Sequence, residues 1–251
     1  MPMELETLKY DTKDGIATIT LNRPQKRNPL SPEVFRELLD CLDRAAADQQ
    51  VAALVITGGE QVFCAGMDIA EMMEFRPEDT HSFWNFGYNL TFEKIYSFRV
   101  PTIAAVSGYA LAGGFDLAVC CDFRIASDTA RFGQLEVNVG LSPGIDRLWR
   151  LVGLSRAKYL GLTCDIIDAQ EAYRIGLVDR VVPVADLMKE AEALAARFVG
   201  KPREALERSK ESYINVINMD HQAAVTWETM LLCRLFDTEE RKRLMAQFLK
   251  R

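Results

Sequence analysis

The sequence predicts an α/β core followed by a purely helical tail. Three observations carry this. Strand-like and helix-like patterns alternate over the first 180 residues or so, after which only helical patterns remain. Val51–Thr57 (V-A-A-L-V-I-T) is a continuous apolar run ahead of Gly58-Gly59, as expected for a strand covered on both faces. A glycine pair, Gly113-Gly114, lies where a strand-like stretch must turn sharply into a helix.

Taken in order, Gly15–Leu21 is β-branched and alternating, with Ala17, Ile19 and Leu21 on one face of a half-buried strand. Asn22-Arg23-Pro24 breaks it, and Lys26, Arg27 and Asn28 follow in a polar loop. Ser31-Pro32-Glu33 combines a cap, a first-turn proline and an early acid, which starts an amphipathic helix reaching about Asp48. After the Val51–Thr57 strand, Phe63–Ile69 (F-C-A-G-M-D-I) is rich in small residues. These let backbone approach a ligand, or simply make a tight strand-to-helix connection. Asp68 suits the first turn of the helix that follows. The segment 71–98 is irregular but rich in aromatics, which either roof an apolar pocket or pack a helix pair. Val100–Val106 is a strand, followed by a turn, a helix through about Cys121 and a short strand Phe123–Ala126. Helices over Leu154–Leu162 and Ala169–Ile175, a strand Val178–Val182, and a helix capped by Asp186 and closed by Gly200 complete the core. The tail is predicted as helices Pro202 to about Met219, His221–Phe236 and about Thr238–Arg251.

Composition narrows the function classes. The chain has 251 residues, enough for a large core, and its 49% hydrophobic content is ordinary for a globular protein. A net charge of −6 argues against nucleic acid or an anionic membrane as the main partner. The six cysteines form no C-x-x-C and no regular framework, as expected for reduced thiols of a cytoplasmic protein. His81 and His221 lie far apart without a ligand cluster, so no metal site is expected. No signal-like opening and no apolar run of membrane-spanning length is present in this sequence.

The chemistry concentrates between Val106 and Gly144. Asp116 falls in the first turn of the helix that the glycine pair opens, and Glu136 follows twenty positions later. Amides at a helix N-terminus can hold a developing oxyanion. Two carboxylates beside such a hole can act as acid and base when their surroundings separate their pKa values. Spacing alone equally allows a tight turn and two surface acids.

At this point the residues resemble the enoyl-CoA hydratase/isomerase, or crotonase, family. The matching pieces are N-R-P at 22–24, F-C-A-G-M-D-I at 63–69, P-T-I-A-A-V-S-G-Y-A-L-A-G-G-F-D-L-A at 101–118, C-D-F-R-I-A at 121–126, F-G-Q-L-E-V at 132–137 and A-Y-R-I-G-L-V-D-R-V-V-P at 172–183. F-D-T-E-E-R-K at 236–242 resembles the family's C-terminal segment. The resemblance implies a spiral of ββα units over residues 1–200 carrying an acyl-CoA site, and a C-terminal helical region, 201–251, that joins subunits into a homotrimer or a dimer of trimers. It implies an acyl-CoA thioester as substrate and no cofactor beyond the coenzyme A that the substrate carries. The family's two oxyanion donors fall on the backbone of Met67 and Gly113, and its catalytic carboxylates on Asp116 and Glu136. Gly144 matches a glycine whose amide helps to hold the attacking water. Lys26, Asn28, Ala65, Asp68, Ile69 and Gly114 match substrate-binding stretches.

The sequence departs from the family pattern in two places. Hydratases of the family commonly carry glutamate where this chain has Asp116. Aspartate also occurs there in the dienoyl-CoA isomerases, but those place a further aspartate where this chain has Gly144. The stretch L-S-P-G-I-D-R-L at 141–148 is shorter than the usual glycine-rich segment, and it carries Asp146, which is either a surface acid or a replacement catalytic group. The expected activity is enoyl-CoA hydration. Isomerisation, or hydration or hydrolysis of a cyclic or branched acyl-CoA, stands as the alternative.

Overall fold

The computed structural model describes residues 5–144 and 146–250. Its larger sheet has six strands in the order β1-β2-β3-β4-β6-β9. These are β1 (Leu8–Lys13), β2 (Ile16–Leu21), β3 (Ala53–Thr57), β4 (Thr102–Val106), β6 (Phe123–Ser127) and β9 (Arg180–Val182). β1 and β2 form an antiparallel hairpin, and the remaining pairs are parallel. A smaller sheet holds β5 (Tyr109–Leu111), β7 (Arg131–Gly133) and β8 (Ile167–Asp168). The chain thus alternates between sheets. β4 and β6 belong to the large sheet, and β5 and β7, which follow them, to the small one. Cys64 bridges to Ala110 in the same way after β3. Each passage is one turn of a spiral of strand, short strand and helix, as expected for ββα units.

Period-two alternation explains why β3 and β4 carry no polar face. Leu54, Ile56, Ala104 and Val106 belong to a core shared with helices Pro32–Ala47, Leu90–Tyr96 and Gly113–Val119. Ala53, Val55, Ile103 and Ala105 point the other way, against Leu187, Ala191 and Ala195 of helix Leu187–Ala196. The Ser31 hydroxyl caps helix Pro32–Ala47 by accepting from the Val34 amide at 3.3 Å. The far end of that helix is held by the Arg99 guanidinium, which donates to the carbonyls of Ala45, Ala46 and Asp48.

Several expectations are adjusted. β1 was not foreseen, because its residues beyond Leu8 are mostly exposed and it gains order by pairing with β2. Asp186 sits at the start of helix Leu187–Ala196 but makes no side-chain cap, and the helix stops at Ala196, short of Gly200. The strand predicted from Val178 begins at Arg180. None of the six cysteines forms a disulfide, and five are buried. Among the described residues no helix is long and apolar enough to cross a membrane.

The contacts divide the chain into two units, between Val199 and Gly200. In the second, helices Arg203–Val216, His221–Phe236 and Glu239–Phe248 follow one another. Asp220 and Thr238 cap the last two by accepting from the amides of Ala223 and Arg241.

One buried acid anchors the β1–β2 hairpin to helix Pro32–Ala47. Glu37 accepts hydrogen bonds from the amides of Glu6, Thr7 and Leu8 and from the Thr7 hydroxyl, at 2.6–3.0 Å. Burial works to raise its pKa, but these four donors outweigh it and hold the carboxyl below its ordinary 4.5. A folded pKa below the unfolded one adds stability that is present above the unfolded value and is lost as pH falls through the folded one. Glu37→Gln, which leaves amide donors short of an acceptor, is therefore expected to cost about 1–3 kcal/mol at pH 7. The difference from wild type should shrink in denaturant titrations as pH falls below the ordinary carboxyl range and the Glu37 carboxylate is protonated.

Candidate active site

The site forms where two strands of backbone approach too closely for side chains. The Cys64 amide donates to the Tyr109 carbonyl at 2.9 Å, and the Leu111 amide to the Cys64 carbonyl at 3.0 Å. Just beyond, a Cβ on Gly114 would stand 2.2 Å from the Cys64 carbonyl oxygen, so only glycine fits. Gly66 has φ +104°, and a Cβ there would crowd Leu111 and Ala112. Ala112, φ 49°, is held in an unfavourable region at the point where the chain turns into helix Gly113–Val119.

This crossing leaves two amides uncommitted. Leu30 pairs with Met67 in a parallel bridge, in which the Leu30 amide donates to Gly66 and the Leu30 carbonyl accepts from Asp68. In that pattern the Met67 amide faces away from Leu30. Gly113 is the first residue of its helix, so its amide lacks an acceptor within the helix. Both residues border a cavity of about 410 Å³. They adjoin each other, since a Cβ on Gly113 would lie 3.4 Å from the Met67 sulfur.

Ala65, Ile69 and Met72 continue the wall from the Met67 side, and Trp84 and Tyr88 face it from segment Phe83–Asn89. That segment is a π-helix, a wide turn often found at functional sites. The aromatics of this region serve both purposes that the sequence leaves open. Phe83 and Phe92 pack on Phe35, while Trp84 and Tyr88 line the cavity. Leu135, Glu136, Val139 and the stretch Leu141–Gly144 complete it.

The two carboxylates differ in their surroundings. Asp116 is buried in the first turn of its helix, 6% exposed. Its Oδ2 accepts a short hydrogen bond from the Tyr88 hydroxyl, and its Oδ1 accepts from Gln134 Nε2 at 3.3 Å. Burial pushes its pKa up to about 7; Glu136 adds to the rise, and the Tyr88 and Gln134 bonds oppose it. Glu136 opens a short 3₁₀ turn, Glu136–Val139, and lines the cavity. Its Oε2 is buried with no hydrogen-bond partner among the described residues, and burial raises its pKa. Burial and the neighbouring Asp116 likewise lift the Tyr88 phenol well above its ordinary range. Both acids therefore belong to one buried centre, not to a solvated surface.

The sequence of this chain matches the enoyl-CoA hydratase/isomerase family over residues 11–251. The chain belongs to that family. It is 38% identical to a short-chain-enoyl-CoA hydratase of Clostridium acetobutylicum, over 99% of this chain and 97% of that protein. A crotonyl-CoA hydratase of Syntrophomonas wolfei is equally similar, at the same coverage. The fold is similar to the crystal structure of an enoyl-CoA hydratase from Bacillus anthracis, with a TM-score of 0.93, 32% identity, and 98% and 96% of the two chains covered.

With the family established, the other expected positions can be placed. Ala65 and Ile69 line the cavity, and Gly144 borders both it and Asp116. Lys26 is exposed at the end of a short turn, Pro24–Lys26. Asn28, Asp68 and Gly114 make contacts within the fold. The Asn28 amide nitrogen donates to the carbonyls of Gly58, Val62 and Phe63, and its oxygen accepts from the Arg23 amide. Asp68 lies 3.8 Å from Arg23 in an ion pair. Gly114 is buried against Cys64. Asp146 opens helix Asp146–Val152, where its side chain is 74% exposed and pairs with Arg150, so it is a surface acid. Among the described residues no cluster of His, Cys, Asp and Glu is arranged to hold a metal ion.

The residue that sequence reasoning missed is Tyr88. It lies in an aromatic-rich, irregular stretch with nothing to set it apart from its neighbours. Its signal is the helix-like spacing that puts Trp84 and Tyr88 on one side. If the close approach at Gly114 shapes the site, Gly114→Ala should cost about 3 kcal/mol or more, because the clash is with backbone that cannot swing aside. Chemical denaturation of the purified variant measures this directly.

Proposed function

We propose that this protein is an enoyl-CoA hydratase that adds water across the α,β double bond of an acyl-CoA thioester. The observation that carries the reading is Glu136. It is a carboxylate with a buried, unpartnered oxygen, on a cavity also bordered by the Met67 and Gly113 amides. The relatives named above as enoyl-CoA and crotonyl-CoA hydratases support it.

In this reading the thioester oxygen lies at the Met67 and Gly113 amides. Glu136 takes a proton from water as the water oxygen bonds to the β-carbon. The π electrons move toward the thioester, and the two amides stabilise the enolate that forms. The α-carbon then receives a proton from the Asp116 side of the site, which completes the addition without a change of oxidation state. The reaction calls for no group beyond the coenzyme A of the substrate. Gly144 supports hydration over dienoyl isomerisation. It brings no carboxylate to the place where the resemblance puts the further aspartate of the isomerases, although that place adjoins Asp116, a Cβ there standing 3.1 Å from Asp116 Oδ2. The exposed Lys26 and its neighbour Arg27 serve the charged nucleotide end of coenzyme A in this reading.

The second unit is read as the assembly region of a homotrimer or a dimer of trimers. Its surface carries Tyr213, Met230, Leu232, Phe236, Phe248 and Leu249, all exposed apolar side chains that an interface between subunits would cover. Light scattering at micromolar concentration should give a trimer or hexamer; a monomer contradicts this part of the reading.

Wild-type protein should hydrate crotonyl-CoA, followed by loss of the enoyl thioester absorbance. Glu136→Gln preserves size but removes the base, so kcat should fall by about 100-fold or more while butyryl-CoA still binds. Near-normal turnover by Glu136→Gln contradicts the mechanism. Because Asp116 must hold a proton to supply one, and its pKa is about 7, the hydration kcat should decline as pH rises through that region. The acid limb should follow protonation of Glu136. These limbs belong to the coupled pair.

A further inference from the structure

Asp116 itself does not line the cavity, whereas Tyr88 does. Both Asp116 oxygens are engaged, Oδ2 by the Tyr88 hydroxyl and Oδ1 by Gln134 Nε2. Gln134 is in turn fixed by donating to the Gly144 carbonyl at 2.8 Å. The Tyr88 ring also reaches the oxyanion side, since a Cβ on Gly113 would lie 3.6 Å from Tyr88 Cε2. One edge of the Tyr88 ring thus adjoins Gly113, while its hydroxyl meets the buried acid.

We propose that Tyr88 is the catalytic residue that exchanges the proton with the substrate α-carbon, and that Asp116 acts behind it as the proton store. The inference rests on the hydratase reading above. With Asp116 protonated the shared hydrogen bond reverses, the carboxyl donating to the Tyr88 oxygen and leaving the Tyr88 proton free to face the substrate. During hydration the Tyr88 O–H bond breaks as its proton bonds to the α-carbon of the enolate, and the Asp116 carboxyl proton passes to the Tyr88 oxygen. Tyrosine ends neutral and Asp116 ends as a carboxylate. In the reverse direction Tyr88 takes the α-proton while its own proton passes to Asp116. No free phenolate forms, which suits a phenol whose burial and acidic neighbours, Asp116 and Glu136, oppose ionisation. The other titratable groups that act on this pair are Cys120 and the Arg147 guanidinium.

The test compares Tyr88→Phe, Asp116→Asn and the double variant in crotonyl-CoA hydration, with butyryl-CoA affinity as the control for the binding site. A relay predicts that each single variant lowers kcat by about 100-fold or more with KM changed less than about threefold. It also predicts that the double variant loses little beyond either single one, because the two groups act in series. If Asp116→Asn falls by that factor while Tyr88→Phe stays within about tenfold of wild type, Tyr88 only positions Asp116 and the inference is overturned. Should Tyr88→Phe fail to fold, 3-fluorotyrosine in place of Tyr88 keeps the ring and hydroxyl but makes the phenol more acidic. A change in kcat of about threefold or more supports the relay, and an unchanged kcat overturns it. If wild type does not hydrate any enoyl-CoA, the functional reading itself fails. If wild type hydrates and Tyr88→Phe does so almost equally well, only the relay fails.

Discussion

Everything at the site depends on the contact between the Cys64–Gly66 backbone and the Tyr109–Gly114 backbone. The hydrogen bonds of Cys64 to Tyr109 and Leu111 draw the segments together, and Gly66 and Gly114 remove the side chains that would hold them apart. The consequence is electrostatic. The first amide of a helix and the outward amide of a bridge residue end up beside one cavity, without acceptors of their own in the pattern that places them. Fixed dipoles of this kind need no reorganisation when charge develops, which is where their catalytic value lies.

The same contact explains the contrast between the carboxylates. Helix Gly113–Val119 is entirely buried, so the acid in its first turn is carried into the core. Asp116 is kept tolerable there by Tyr88 and Gln134, which give each oxygen a donor. Glu136 sits instead at the edge of the interior on a short turn and keeps one oxygen without a donor. Similar carboxyl groups thereby acquire different proton affinities and different access to the cavity. Around this centre the remaining polar burial is structural: Asn28 fastens three carbonyls, and Arg124 reaches the carbonyls of Cys121 and Leu177.

Much of this was legible in the residues. Val51–Thr57 announced a strand covered on both faces, Ser31-Pro32 a capped helix, and the Gly113-Gly114 pair a turn into a helix with Asp116 in its first turn. Those are local signals, written in periodicity and capping chemistry. What was not legible depends on contacts distant in sequence. β1, β5, β7 and β8 are short or largely exposed, and they are defined by their partners more than by their own propensities. Asn28 fastens backbone carbonyls, Gly114 admits the Cys64 backbone and Asp68 pairs with Arg23, contacts that only the spatial arrangement reveals. Tyr88 lies twenty-eight residues from Asp116, in a stretch whose irregularity reflects a π-helix that no simple period describes.

The central claim is that the Met67 and Gly113 amides hold the thioester oxygen. Difference infrared spectroscopy of crotonyl-CoA labelled with carbon-13 at the thioester carbonyl tests it most directly. Bound to the Glu136→Gln variant, which prevents turnover, the carbonyl stretch should move to lower frequency than in free crotonyl-CoA, because two donors weaken the C=O bond. A bound carbonyl at the frequency of the free thioester would contradict the account.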